Sequence, residues 1–389
     1  MWKPAICCIG YNRPASMQRL LGSIGKAIFD SEDITLIISI DESDKSNDVE
    51  QIANDFQWNH GKKLIRRFPE RQGLKKHCLQ CGDFSEEYGA IIFLEDDVVV
   101  APGFYRYAVA ALEAYGMDKR VFGISLYHEN FISTARFDFH AVHTGGDAYY
   151  LQNELSHGHC WIGTQWKNFR KWLIENGDKF PEYDCRIPKS VHGWKTETSW
   201  SKSLDNYLIQ ADLYYIAPYE SFATNMSELG EHAKATTDIC QTIMSDSLLN
   251  SYKFLPFEEC AVYDMFFERK DKKIFDSIGM NSMETLMDLN GLRYDWTGFK
   301  YTFSIQKLPF RVIKSYGANL DPIENNIRYE IPGDAIRLYE IPEDYQSPKS
   351  LSEIPFHKKL FGRHEHLLNR YPGKLLLYIA FAKIKRRFF

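Results

Sequence analysis

The chain has no run of about 18 uninterrupted apolar residues, the length a membrane-spanning helix needs, so none is expected in its 389 residues. Its first residues, MWKPAICCIGYNRP, lack a charged stretch leading into a long apolar one, and no secretory signal is expected there. No sign of charge dominates: 47 Lys and Arg face 52 Asp and Glu, giving −5 overall and a pI near 6.2. Nothing global therefore argues for a nucleic-acid partner. Internal repeats and low-complexity tracts are missing too. The eight cysteines fall at irregular positions, and Cys78-x-x-Cys81 has no second pair to complete a zinc site. They read as reduced, mostly buried thiols of a cytoplasmic protein.

What is present is globular: 44% apolar and 25% charged residues. The aromatic share of 15% suits sugar-stacking platforms and ordinary cores equally. AICCIGY (Ala5–Tyr11), ITLIISID (Ile34–Asp41), KLIRRF, AIIFLE and VFGISLY read as buried strands. Between them Met17, Leu20, Leu21 and Ile24 recur at helical spacing after Pro14, GLKKHCLQCGDFSEEY reads as one helix, and Phe104–Tyr115 as another. Apolar strands alternating with amphipathic helices predict an α/β fold, a mostly parallel sheet with helices on both faces. Such sheets bind ligands beyond the carboxyl ends of their strands. Asn12-Arg13, Asp41 and Glu95-Asp96-Asp97 all fall just past strand ends.

Further along, Tyr127 to about Ser156 is looser. Helices are expected near Thr164–Trp172 and Thr196–Ile209, and LYYIAP reads as a short strand. From about Phe257 the pattern becomes β-rich, with strands expected in YDWTGFKYTFSI, FRVIKSY and NIRYEI. The expected divisions are 1–256 for the α/β domain, 257–350 for a β-rich accessory module, and 351–389 for a helical, basic, amphipathic tail.

The triplet LEDD follows a fully apolar strand, which anchors it at a rigid terminus. Adjacent carboxylates repel unless neutralised, and Mn²⁺ or Mg²⁺ held by one or two carboxylates plus substrate phosphates removes that repulsion. The stretch EDDVVVAPGF resembles the metal motif of nucleotide-sugar glycosyltransferases of the GT-A (Rossmann-like) fold. It is most similar to the N-acetylglucosaminyltransferase I type family and its bacterial relatives. YNRPASMQRLL, IISIDES, GISLY, GHCWIGTQW and PYESFATNMSELGEH extend the resemblance over about residues 1–240.

The resemblance implies a UDP-sugar donor, with Asp97 on the metal and Glu95 and Asp96 in support. It further implies that Arg13 meets the diphosphate, that Asp41 reads the uracil edge, and that His77 or a neighbour faces the nucleotide. His232 stands as a second metal or diphosphate ligand, or as a structural histidine. An inverting transfer needs a base for the acceptor hydroxyl. The family's acidic pair is replaced here by TSWSKSLDNYL, leaving Asp205 as the nearest candidate and Glu220 as the next. Asp205 reads equally as a surface residue of its helix, and Glu220 as half of a salt bridge. Trp161, in a stretch resembling an acceptor loop, either stacks on a sugar or packs; Trp166 reads as packing.

The tail KLLLYIAFAKIKRRFF is apolar and basic together, as an interfacial helix would be. The resulting expectation is a cytoplasmic, metal-dependent glycosyltransferase, peripheral on the inner face of the cell membrane. Its acceptor is then a glycan or lipid-linked glycan of surface polysaccharide or lipopolysaccharide synthesis. The alternatives are a sugar-phosphate nucleotidyltransferase, although GYNRPAS is no Gly-rich phosphate loop, and a catalytically inactive carbohydrate-binding protein.

Overall fold

The computed structural model describes residues 2–354 except 31, 133, 135–136, 178, 194–198, 229–238, 247 and 250, together with Gly373 and Leu377. His232 and nearly all of the expected amphipathic tail beyond Ile354 lie outside the described residues. Among the described residues no helix is long and apolar enough to cross a membrane.

The chain opens with β1 (Ala5–Gly10), α1 (Pro14–Ile24), β2 (Leu36–Ile40), α2 (Ser46–Asp55) and β3 (Lys63–Arg67). Next come α3 (Leu74–Gly82), α4 (Phe84–Tyr88), β4 (Ala90–Glu95), β5 (Val98–Val100), α5 (Phe104–Tyr115) and β6 (Val121–Ser125). A two-stranded hairpin, β7 (Phe131–Ile132) and β8 (Phe137–Asp138), precedes β9 (Ala148–Leu151) and β10 (His159–Ile162). The helices α6 (Gly163–Asn176), α7 (Lys189–His192) and α8 (Trp200–Gln210) lead to β11 (Tyr214–Pro218), β12 (Ala223–Asn225) and β13 (Val262–Tyr263). Finally α9 (Lys272–Ser277), β14 (Thr285–Asp288), β15 (Tyr301–Ser304), β16 (Arg311–Tyr316), α10 (Asn325–Arg328) and β17 (Ile336–Glu340) form the last module.

Nine strands make one sheet in the order β13-β9-β11-β6-β10-β4-β1-β2-β3. The pairs among β3, β2, β1 and β4 are all parallel, and β11 is parallel to β6. Between β4 and β6 the strand β10 runs antiparallel to both. The sheet is thus mostly parallel, and β1 and β2 are buried along their whole length. That burial from both sides is why they read as unbroken apolar runs.

Alternate residues of each strand feed two cores. Ile6, Cys8, Ile38 and Leu94 pack with α1, α2 and α5, while Cys7, Ile37 and Phe93 pack with α3, α6 and α8. Helices therefore cover both faces. A separate four-stranded sheet, β14-β15-β17-β16, carries the C-terminal module and its own core around Phe303, Tyr316 and Ile336.

Four local expectations are corrected. The single helix expected through GLKKHCLQCGDFSEEY is broken at Asp83, whose carboxylate accepts the indole N–H of Trp166 at 2.9 Å. NIRYEI contains no strand. Its buried Asn326 accepts the N–H groups of Asn319 and Leu320 and donates to the carbonyls of Leu320 and Ile323, which winds the segment into α10. The looser region from Tyr127 to about Ser156 contains the β7–β8 pair and one strand of the main sheet, β9. Finally, α2 fills the stretch between β2 and β3, where no helix was expected.

The acceptor-loop reading of GHCWIGTQW also changes, because HCWI is β10, inside the sheet. Trp161 is fully buried, stacked between Phe93 at 4.5 Å and Trp166 at 4.4 Å, with its indole N–H donated to the Tyr215 hydroxyl at 2.9 Å. It has no face left for a sugar. Trp166 packs, as expected.

Candidate functional site

Where β1, β2 and β4 end, the polypeptide leaves a cavity of about 170 Å³. Its lining includes Arg13, Asp41, His77, Glu95, Asp96 and Asp97, drawn from four separate stretches of sequence. Asn12, Tyr11, Arg71 and Glu228 also line it. Neither Asp205 nor Glu220 does.

Each side chain arrives for a local reason. Gly10 ends β1 where an added Cβ would lie 2.6 Å from the Met17 methyl carbon and 3.3 Å from Val49, so α1 and α2 can close on the strand end. Arg13 follows as the N-cap of α1, with Pro14 at the start of the helix fixing φ. Glu95 is the last residue of β4, and Asp96 and Asp97 form the turn into β5. β5 pairs with β12, which places Asn225 and Met226 against Asp97. The Met226 N–H donates to the Asp97 carbonyl at 2.8 Å, and Asn225 Nδ2 to Asp97 Oδ1 at 3.1 Å.

Arg13 binds both acids. Its Nη2 and Nε donate to Asp96, and its Nη1 donates to Asp97 Oδ2 at 3.1 Å. Burial opposes the charge on the guanidinium, but the two carboxylates outweigh it and raise its pKa. Burial pushes Asp96 up to about 6, even against the pull of Arg13. Glu95 is pushed up to about 8 by burial and by the charges of Asp97 and Asp96. Near neutral pH the triplet therefore does not carry three full charges. Arg13 balances one of those that remain.

Asp41 has a largely structural set of partners. Its Oδ1 accepts the N–H groups of Glu42 at 2.9 Å and Gln72 at 2.7 Å, and Oδ2 accepts that of Gly73 at 2.9 Å. Gly73 takes φ +79°, a conformation that favours glycine, and starts α3 beside the cavity. Only Oδ2 keeps room for a further donor. His77, on α3, shares a 2.7 Å hydrogen bond with Ser39 Oγ at the end of β2.

Asp205 is buried within α8, not on its surface. Its Oδ1 accepts the Glu154 N–H at 2.8 Å, and burial pushes it up to about 8. Glu154 is itself held well above the usual carboxylate range by burial and by Asp205. Beside it His159, pushed down to about 3 by burial, stands 3.2 Å from Glu154 Oε1 as a neutral ring. Glu220 is exposed and accepts the Ser245 hydroxyl at 3.0 Å.

Three lining or bracing residues escaped the sequence reading. Glu228 accepts Ser16 Oγ at 2.6 Å and pairs with Arg19, tying its segment to α1. Arg71 stands 5.0 Å from the centre of the Tyr11 ring. Asn225 steadies Asp97. Glu228 and Asn225 lie in the quoted PYESFATNMSELGEH run, which was the one available signal; Arg71 sits in an irregular loop with none.

The donor set can be tested against a divalent cation. Among the described residues no group of three or more His, Cys, Asp or Glu could hold a metal by itself. Each oxygen of Asp97 meets one donor and keeps a second acceptor direction. One carboxylate completed by phosphate oxygens and water suits Mg²⁺ or Mn²⁺, so the residues fit a cation that arrives with a diphosphate.

No protein-family model and no curated protein matches the chain. Among solved structures it is similar to TarS of S. aureus in complex with UDP-GlcNAc, at 14% identity and a TM-score of 0.41, over 60% of this chain and 61% of that one. It is also similar to a mannosyltransferase from Pyrobaculum calidifontis in complex with GDP-Man and Mn²⁺, at 12% identity and a TM-score of 0.34, over 56% and 54%. The chain thus spans less than two thirds of either structure's length. Likeness at this level identifies no donor, acceptor or metal for it.

Proposed function

We propose that the protein is a metal-dependent glycosyltransferase. It moves a sugar from a UDP-sugar to a hydroxyl of a glycan or lipid-linked glycan acceptor, with inversion. The observation that carries the reading is the gathering of Arg13, Asp41, His77 and the 95–97 triplet around one cavity beyond the carboxyl ends of parallel strands. One basic fork facing carboxylates at such a place suits a diphosphate bridged to a cation.

In this reading Asp97 would hold Mn²⁺ or Mg²⁺, with Glu95 and Asp96 in support and His232 as a further ligand. The cation supplies Lewis-acid stabilisation to the departing diphosphate. Arg13 gives one N–H to a phosphate oxygen while Asp96 keeps its orientation. Asp41 Oδ2 accepts the uracil N3–H, and His77 faces the nucleotide. The bond from the anomeric carbon to the diphosphate breaks, its electron pair leaving with UDP. The acceptor oxygen forms the new bond and its proton passes to a carboxylate. Asp205 and Glu220 are the candidates for that base. N-acetylglucosamine is the first donor sugar to test. We place the reaction at the inner face of the cell membrane, in surface polysaccharide or lipopolysaccharide synthesis.

The test is incubation of the full chain with Mn²⁺ and a panel of nucleotide sugars, following UDP release. One UDP-sugar is expected to release UDP slowly, and Asp97→Ala to abolish release. Release of pyrophosphate in place of UDP would assign the site to sugar activation. No metal-dependent UDP binding by calorimetry would leave a carbohydrate-binding protein. Asp205→Asn and Glu220→Gln separate the bases: the true base variant loses turnover and keeps UDP binding.

A further inference from the structure

The C-terminal module carries a second cleft, of about 880 Å³, sharing no lining residue with the first. We propose that it binds an uncharged oligosaccharide. This inference does not rest on the diphosphate reading; it assigns the accessory module a ligand of its own.

The cleft lies where the turn at 296–300, the segment 309–311 and the segment 340–345 converge. Its volume falls in the range of roughly 300–1,000 Å³ typical of small-molecule sites. Trp296, only 4% exposed, and buried Ile341 form its floor. Above them Phe299, Phe310 and Tyr345 are half-buried, so each ring keeps part of its surface open. The Phe310 and Tyr345 rings stand 5.6 Å apart at 88°, and both meet Trp296 edge-on, at 5.7 and 6.2 Å. These contacts fix the orientation of the rings before any ligand arrives.

A sugar ring has an apolar C–H face and a polar hydroxyl edge, and the cleft matches both. The aromatic walls take the first. The rim offers Lys300, Arg311, Glu340 and Glu343, two of each sign, so it has no net charge. Arg311 Nε donates to Glu340 Oε2 at 2.7 Å, which internally balances the most concentrated charge. A neutral rim gives no basis for selecting a phosphate or an ammonium group. Donors and acceptors side by side suit hydroxyls, which do both.

The frame is preformed. The 296–299 turn is closed by the Phe299 N–H on the Trp296 carbonyl at 3.3 Å, with Gly298 at φ +87° where a side chain would be strained. Pro309 and Pro342 line the other two segments and restrict their backbones. A rigid platform lowers the entropic cost of ordering on binding.

The experiment is calorimetric titration of the full chain with cellotetraose, chitotetraose, maltotetraose and isomaltotetraose. At least one is expected to bind with a Kd of about 0.1–1 mM. Phe310→Ala and Tyr345→Ala should each weaken it about tenfold, as loss of an aromatic anchor does. Arg13→Ala should leave this affinity unchanged, whatever it does to UDP. Should an aromatic variant fail to fold, the exposed Lys300→Ala and Glu343→Ala replace it, each expected to weaken binding about threefold. Binding of none of the four sugars overturns the proposal. So does binding that survives the cleft substitutions, or that disappears in Arg13→Ala.

Discussion

The Arg13 guanidinium reaches Asp97 Oδ2 at 3.1 Å while its other edge grips Asp96, across more than eighty residues of sequence. One basic group thus holds together the end of β1 and the turn after β4. The same group faces the cavity. Under the proposed function, its structural role and its contact with the diphosphate would be coupled.

Replacing Arg13 by Ala leaves the buried Asp96 carboxylate without its counter-charge. Breaking a buried pair costs about 3–5 kcal/mol, and the partial exposure of Arg13 lowers that to roughly 2–3 kcal/mol. Arg13→Ala should lower the urea midpoint, and the double variant with Asp96→Asn should recover part of the loss. Equal midpoints for wild type and single variant would remove Arg13 from the structural account.

Asp205 makes a pH-dependent prediction. Burial pushes its carboxyl from the ordinary 3.8 up to about 8. Below pH 3.8 the folded and unfolded chains are both protonated there. Between the two values only the unfolded chain ionises, so stability falls as pH rises and levels off above about 8. Asn at this position keeps the acceptor for the Glu154 N–H and removes the titration. Asp205→Asn should match the wild type more closely at pH 5 and exceed it clearly at pH 8.5 in urea unfolding. Parallel pH profiles would contradict the burial argument.

Two helical glycines should respond with opposite signs. An added Cβ at Gly82 would lie 1.9 Å from the Trp166 ring, which is stacked and cannot retreat. Gly82→Ala should destabilise by at least the ~1–3 kcal/mol of an overpacked core. Gly22 on the exposed side of α1 meets nothing within 4 Å. Gly22→Ala should stabilise by about 0.5–1 kcal/mol through helix propensity. Thermal melting of the two variants checks both signs.

Trp161 is predicted to matter for folding and not for ligands. Trp161→Ala removes a ring stacked on both faces and leaves the Tyr215 hydroxyl without its donor, at a cost of about 3–5 kcal/mol. Trp161→Phe should be milder and should keep wild-type affinity for UDP. A selective loss of sugar transfer in a stably folded Trp161→Phe would restore its acceptor role.

Much of the architecture was legible because parallel strands buried on both faces leave an unmistakable mark. AICCIG, LIISI and AIIFLE are such runs, and residues just past them fall at the site by topology alone. Hence Arg13, Asp41 and the 95–97 triplet could be named from sequence, and the structure gathers them at one cavity. His77 joins them because α3 begins beside Asp41. Short strands carry less information: HCWI holds four residues and follows a glycine at φ +113°, so β10 read as a loop.

By itself the sequence determined the α/β alternation, the two-sided burial of the central strands and the position of charged groups beyond them. Those properties follow from local periodicity, which neighbouring residues express. Only the tertiary structure decided that Arg13 neutralises Asp96, that Trp161 lies inside the sheet, that Asp205 is buried against Glu154, and that the small module holds an aromatic cleft. Each depends on residues far apart in the chain, whose meeting is set by how the layers pack and which charges are drawn out of water.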